Sequence, residues 1–240
     1  MQAKTFVITL IFTMMSPVTT FAADGIGDLP RIGKPIPGGI AFQPSVTELA
    51  RDIVWLDNFL LVVITAITLF VTALLFYVFY KFRKSVNPTP STFTHHSALE
   101  ITWTLVPVLI LAVIGVISLP MLFKQLEIPE ADITIKATGN QWYWSYEYPE
   151  QEMTFDSFML AREDLEKYGY AQDEYLLATD NPVVVPVGSI VRIQVTGSDV
   201  LHAWKIPAFG VHVDAVPGRL NESWFEVDRE GIYFGQCSEL

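Results

Sequence analysis

Two stretches of the chain, residues 59–80 and 101–123, contain no charged side chain. At 1.5 Å of rise per residue, 22 and 23 residues each cross a hydrocarbon core of roughly 30 Å. Both stretches therefore predict transmembrane helices. Pro107 and Pro120 fall in the second span, where a kink is tolerated if neighbouring helices satisfy the freed carbonyls. Phe79, Tyr80, Trp103 and Phe123 sit near the span ends, as suits the membrane interface. Beyond residue 124 the pattern changes. Residues 133–138, 183–187, 190–196 and 224–227 are short β-branched or aromatic runs, interrupted at Asn181-Pro182, Val187-Gly188, Thr196-Gly197, Pro217-Gly218 and Glu230-Gly231. Strands at that spacing with turn signals predict a β-sandwich or barrel. Residues 161–168 look like a helical insert.

The N-terminus reads as a signal peptide over residues 1–22. Lys4 precedes an apolar stretch broken by Pro17, which closes on the small residues Ala22 and Ala23 before Asp24; the alternative is a first transmembrane helix. Residues 23–56, dense in Gly and Pro, predict an irregular exterior arm. The hairpin then occupies residues 57–123. Its loop, 81–100, carries Lys81, Arg83 and Lys84 and no acid before Glu100, so the positive-inside rule puts it in the cytoplasm. Both ends of the mature chain are thereby expected outside, on the periplasmic side of a cell inner membrane.

Composition agrees. Of the 240 residues 51% are hydrophobic and only 17% charged, with a mean hydropathy of +0.36, which sets the chain apart from ordinary soluble enzymes, disordered proteins, collagen and coiled coils. The net charge of −11 argues against nucleic acid, whose phosphates need basic patches. Residues 124–240 hold 20 of the 26 acids and 8 of the 15 bases, so the acidic excess lies in the exterior part.

Cys237 is the only cysteine. An unpaired thiol in an oxidising compartment is at risk of cross-linking, which makes a metal-ligand role attractive beside the plain reading of a small buried hydrophobe. Gly235-Gln236-Cys237-Ser238-Glu239 places a soft sulfur two residues from a carboxylate, and His202 supplies an imidazole from a distant segment. Thiolate with imidazole points to copper before magnesium or calcium. The run from Gln141 to Tyr148 holds five aromatics. In a regular strand Trp142, Trp144, Tyr146 and Tyr148 would share one face, either as core or, near the surface, as an electron-transfer contact. Ser97-Ala98-Leu99-Glu100 has the capping-box form at a helix start, and an ionisable residue at a membrane boundary also invites a functional reading. His95, His96 and His212 read as loop residues.

Leu99-Glu100-Ile101-Thr102-Trp103-Thr104, residues 141–148, Asp199-Val200-Leu201-His202-Ala203-Trp204, residues 213–221 and Gly235 to Leu240 together resemble subunit II of the haem–copper cytochrome c oxidases, from about residue 45 onward. The resemblance implies an α+β membrane protein: a two-helix transmembrane hairpin followed by a cupredoxin-like Greek-key β-barrel. It implies a dinuclear copper centre that takes electrons from cytochrome c and passes them to haem in subunit I, where oxygen reduction is coupled to proton pumping. His202, Cys237 and Glu239 match copper ligands of the family, and Glu239 also matches the side chain that reaches a magnesium ion shared with subunit I. Trp142 matches the electron-entry tryptophan, and Glu100 the entrance of a proton path. Glu147, Glu150, Glu152, Asp156, Asp180 and Asp199 look like an acidic docking face for a basic cytochrome. Subunit I, other oxidase subunits and membrane lipid are the implied remaining partners.

Two departures accompany the resemblance. The family's second Cys, second His and Met follow the point at which this sequence stops, at Leu240, so an incomplete barrel is expected, from a partial reading frame in the first place, or from a shortened chain or a split subunit whose remainder is another chain. Asn140 stands where many relatives carry His. The alternatives are a copper-free quinol oxidase subunit II, opposed by His202, Cys237 and Glu239, and a membrane-anchored β-domain that only scaffolds a partner.

Overall fold

The computed structural model describes residues 29–239; the expected signal peptide lies outside them. Helix α1 runs Glu48–Lys81 and α2 Ser97–Leu126. Both are long and apolar enough to cross a membrane, and their apolar side chains face outward. The α1 helix begins well before the uncharged span. Its N-cap, Thr47, accepts a bond from Ala50 N and donates its own hydroxyl proton to Phe209 O at 2.7 Å. The first turn is thus fixed in the β-domain, with Val46, Leu49 and Ala50 buried there. What reads as the end of an arm is the root of the first span. Lys124 near the end of α2 bonds both Glu48 and Asp52 of α1, and its carbonyl accepts from Trp224 Nε1 at 3.1 Å. These bonds clamp the hairpin to the β-domain.

Among the described residues the chain forms nine strands: β1 Arg31–Ile32, β2 Ile133–Asn140, β3 Tyr143–Tyr148, β4 Met153–Ser157, β5 Ile190–Gly197, β6 His202–Ile206, β7 Val211–Ala215, β8 Asn221–Glu226 and β9 Ile232–Tyr233; the runs at 133–138, 190–196 and 224–227 lie in β2, β5 and β8. The main sheet has the order β4-β3-β2-β5-β8, with β2 and β5 parallel and the other pairs antiparallel. The β6–β7 hairpin supplies the facing layer, and β1 pairs in parallel with β9. The core lies between the layers. Ile135, Ala137, Val191, Ile193, Val195 and Phe225 pack from the main sheet against Trp204, Phe209, Val211 and Ala215. Burial along β5 alternates residue by residue, as a sheet with one wet face requires. This is the expected fold class: a hairpin of two apolar helices followed by a β-sandwich.

Residues 183–187 are not a strand. Pro182 and Pro186 remove ladder donors, and the segment instead seats Val183 and Val185 on the core while Val184 N donates to Tyr148 Oη. The insert at 161–168 forms two short 3-10 turns, Arg162–Asp164 and Glu166–Tyr168. It makes a second small core of Leu160, Leu165, Tyr170 and Ala178 around Phe234. Glu174 of this insert is fully buried and paired with Arg31 of the arm at 3.0 Å.

Candidate metal centre

The last described segment returns to the sandwich beside β6. Ser238 N donates to Ala203 O at 3.3 Å, which sets Cys237 one residue from a contact that is itself one residue from His202. Gly235 makes this approach feasible: a Cβ there would lie 2.2 Å from Lys205 O. His202, Cys237, Glu239 and Trp142 all line one cavity of about 720 Å³. Cys237 and Glu239 are exposed at its rim, and His202 is buried. Sequence positions thirty-five apart are therefore neighbours. Among the described residues no three His, Cys, Asp or Glu side chains form a complete metal cluster.

The His202 ring is held on three sides. Its Nε2 meets Asp199 Oδ1 at 2.8 Å, Trp144 stands edge-on at 6.0 Å between ring centroids, and Gly139 of β2 leaves room for it. Asp199 also accepts from Val200 N at 2.7 Å and Gln141 N at 3.0 Å. The His202 bond, followed by these backbone donors, pulls the Asp199 carboxyl down to about 2. A carboxylate on one imidazole nitrogen is the usual outer partner of a metal-ligating histidine and leaves the other nitrogen, Nδ1, for the metal. With a soft thiol at the same cavity, the residues present fit copper. Sequence reasoning missed both supports: Trp144 was grouped with the core, and Asp199 with the docking carboxylates. The D-x-x-H spacing was the available signal.

Trp142 is 87% exposed and sits in the two-residue turn between β2 and β3, so it does not share a strand face with Trp144, Tyr146 and Tyr148 as expected. That face is real for Trp144, Tyr146 and Tyr148, which turn toward the core. Burial pushes the Tyr146 phenol up to about 12, and its oxygen accepts from Trp204 Nε1 at 3.1 Å.

The six carboxylates do not form one patch. Asp156 and Asp180 lie near Trp142: Asp180 caps Phe158 N, and Phe158 stacks on Tyr143 at 4.6 Å. Asp156 accepts from Ser145 Oγ, and Glu147 pairs with Lys136 on the same outer sheet face. Glu150 and Glu152 stand beyond Tyr148 at the far end of β3, about 17 Å away at 3.3 Å per residue. Asp199 stays exposed while it accepts from His202, Val200 N and Gln141 N beside the Trp142 turn. Asp156, Asp180 and Asp199 thus lie toward the Trp142 end, and Glu147, one residue before Tyr148, lies between them and Glu150.

At the other end of the molecule, Glu100 Oε1 accepts from His96 N at 3.1 Å, and His96 Nδ1 accepts from Leu99 N at 3.2 Å. The reciprocal cap exists, with His96 rather than Ser97 as the cap residue. His96 is thus not a free loop residue. His212 lies on β7, its Nε2 2.8 Å from Ser238 Oγ.

Fold and site together define a membrane-anchored β-sandwich protein with a histidine–cysteine cavity beside an exposed tryptophan. The chain matches the family model "Cytochrome C oxidase subunit II, periplasmic domain" over residues 133–240 and "Cytochrome C oxidase subunit II, transmembrane domain" over residues 35–121. It is 53% identical to cytochrome c oxidase subunit 2 of Cereibacter sphaeroides over 235 residues, covering 92% of this chain and 78% of that one. A probable cytochrome c oxidase subunit 2 of Rickettsia bellii is 41% identical, covering 98% of this chain and 82% of the other. A crystal structure of the periplasmic domain of subunit II of cytochrome oxidase from Bradyrhizobium japonicum aligns with a TM-score of 0.42 at 53% identity, covering 48% of this chain and 77% of that chain. The chain belongs to the cytochrome c oxidase subunit II family. It is a membrane subunit of an oxidoreductase complex and works beside other oxidase subunits.

Proposed function

We propose that this chain is the electron-entry subunit of its oxidase, taking electrons from cytochrome c and handing them to the haem–copper subunit I for oxygen reduction coupled to proton pumping. His202, Cys237 and Glu239 would hold copper, with the Glu239 side chain also serving a magnesium ion shared with subunit I. Copper so bound supplies reversible one-electron chemistry, its unpaired electron shared with sulfur. The chain's own residues do the rest. Asp199 fixes the tautomer and angle of His202, and the buried ring cannot swing because Trp144 and Gly139 close its sides. A held ligand lowers the reorganisation that accompanies each change of charge.

Trp142 offers an exposed aromatic surface to the incoming protein beside the same cavity. Asp156, Asp180 and Asp199, with Glu147 farther along β3, give that side a negative potential, which raises the encounter rate of a basic cytochrome at low salt. Glu100, at the start of α2, would admit protons to the path into subunit I. Its carboxylate is within the small cavity formed with Ser97 and Thr104, where it can exchange a proton with water while capping the helix. The uncompensated Lys81, Arg83 and Lys84 support a cytoplasmic loop and periplasmic termini in an inner membrane, with residues 1–22 as the export signal and residues 124–240 as the copper domain.

One observation carries this reading: a carboxylate-oriented, buried imidazole and the chain's only thiol meet at one cavity beside an exposed tryptophan. The test is to purify the oxidase complex with Cys237→Ser and with Trp142→Phe. Cys237→Ser is expected to lower copper content and abolish rapid electron entry from cytochrome c. Trp142→Phe is expected to slow entry while copper is retained. A Cys237→Ser complex with unchanged copper and unchanged entry rate would contradict the proposal.

A further inference from the structure

The N-terminal segment meets residues 228–233 at two places, on either side of an exposed stretch at 35–42. At one end Asp228 N donates to Val46 O at 3.0 Å, and Val46 N donates to Ala208 O at the root of α1. At the other end β1 pairs with β9, and Ile232 N donates to Pro30 O at 2.9 Å. Among the described residues β1 is the only strand that pairs with β9. From β9 the chain runs straight into the candidate copper loop, with Cys237 four residues beyond Tyr233.

We infer that the segment carrying β1 is a strap that closes the copper loop, holding Cys237 at the His202 cavity and slowing the exchange of copper. This inference rests on the electron-entry reading above and adds a control of metal exchange to it. Two routes run from the strap to the loop. Through β9, the strap sets the line on which the chain enters Phe234, which is buried, and Gly235, where a Cβ would collide with Lys205 O. The second route passes through the insert. Arg31 reaches Glu174 Oε1 at 3.0 Å and Gly169 O at 2.6 Å, and Lys34 reaches Asp173 at 2.6 Å. The insert so held packs on Phe234, and its Leu176 O accepts from Gln236 Nε2, the neighbour of Cys237, at 3.2 Å. Lifting the strap takes the Arg31 cation away from the fully buried Glu174 carboxylate, so the closed form dominates. A ladder of two residues beside an exposed stretch still opens at a free energy below that of global unfolding, and each opening frees the loop.

Gly33 is the position at which the seating of the strap can be changed alone. Its φ is +82°, and a Cβ there would lie 2.9 Å from Ala208 Cβ and 3.0 Å from Gln43 Oε1. Gly38, in the exposed stretch, has a φ of +73° and open space around it. Alanine meets comparable backbone strain at both positions, but only Gly33→Ala pushes the strap from its seat.

The two variants, each in the intact oxidase complex, are compared with wild type by hydrogen exchange and by copper loss to a chelator. The Ile232 amide reports the strap, and the Ser238 amide, which donates to Ala203 O at 3.3 Å, reports the loop. Both amides should be protected in the wild type and in Gly38→Ala. In Gly33→Ala both should exchange faster, and copper should leave about tenfold faster, the factor that an ordinary overpacking cost gives. The Ile193 amide at the centre of β5 should keep its wild-type protection, which a general loss of stability would not allow. Faster exchange at Ile232 with wild-type Ser238 exchange and wild-type copper loss would overturn the inference. Equal effects of the two alanines would overturn it as well, and so would free exchange at Ile232 in the wild type, a check that needs no variant to fold. If the wild-type complex shows no copper signal, the electron-entry reading fails on its own, and the Ile232 and Ser238 amides still decide whether the strap holds the loop.

Discussion

Gly139 of β2 lies directly beneath the His202 ring: a Cβ at this glycine would stand 2.7 Å from His202 Cγ and 2.8 Å from Cδ2. No other residue type fits there without moving the imidazole. Gly139→Ala is therefore expected to destabilise the β-domain by about 1–3 kcal/mol, the usual cost of overpacking, and to reduce copper retention. Thermal melting of the full chain in detergent and copper per complex measure the two effects. A wild-type melting point with full copper would show that the ring does not need this space.

Tyr146 ties stability to alkaline pH. Its phenol is buried and its pKa stands at about 12 in the folded chain, above the ordinary value of 10.0. A raised folded pKa means that the stabilisation is fully present below pH 10 and is lost as pH climbs through 12, in an amount of about 2–3 kcal/mol. Burial raises the phenols of Tyr148 and Tyr170 in the same direction. Unfolding followed between pH 9 and 12 should show stability falling. In Tyr146→Phe the fall should be shallower, with a neutral-pH cost of about 1–3 kcal/mol from the unpaired Trp204 Nε1. An identical alkaline slope in the variant would exclude Tyr146 as a source.

The arm and the insert depend on one ion pair. Glu174 is fully buried and accepts from both Arg31 Nε and Ala171 N, and Arg31 further donates to Gly169 O at 2.6 Å. Removing one partner of such a pair costs about 3–5 kcal/mol, because the other charge is left in the interior. Arg31→Met should lower the melting point and expose the insert to protease around residues 161–176. Because the insert packs on Phe234, three residues before Cys237, copper retention should fall as well. A protease pattern and melting point equal to wild type would remove this pair from the stabilising set.

The split among the carboxylates predicts a difference between two double variants. Asp156→Asn with Asp180→Asn should slow cytochrome c oxidation several-fold at low ionic strength and little at high ionic strength, since exposed charges are screened within about 10 Å at 0.1 M salt. Glu150→Gln with Glu152→Gln, at the other end of β3, should leave the salt profile unchanged. The reverse ranking would move the docking face to the end of the sheet joined to α2.

Much of this architecture is legible in the sequence because its signals are local. Two uncharged spans have one physical solution, and β-branched runs separated by turn residues gave β2, β5 and β8. Local patterning also misled. The run at 183–187 has strand composition, yet Pro182 and Pro186 deny it a ladder. The start of α1 was hidden because the residues that root it carry no helical signal of their own and Thr47 finds its partner at Phe209, far along the chain. The site divides the same way. His202 and Cys237 stand out as residue types, but their meeting depends on the Ser238–Ala203 bond and on Gly235, which only the folded chain reveals. Asp199 reads as one acid among many until its bonds to His202, Val200 N and Gln141 N are seen.

The central claim is that copper is held by His202 and Cys237. Copper-edge X-ray absorption of the intact oxidase complex, wild type against Cys237→Ser and His202→Ala, addresses it most directly. The claim predicts copper with both sulfur and imidazole scattering in the wild type, with the sulfur contribution reduced or the metal lost in Cys237→Ser and the imidazole contribution altered or the metal lost in His202→Ala. Wild-type copper spectra in both variants, or a complex without sulfur-ligated copper, would contradict it.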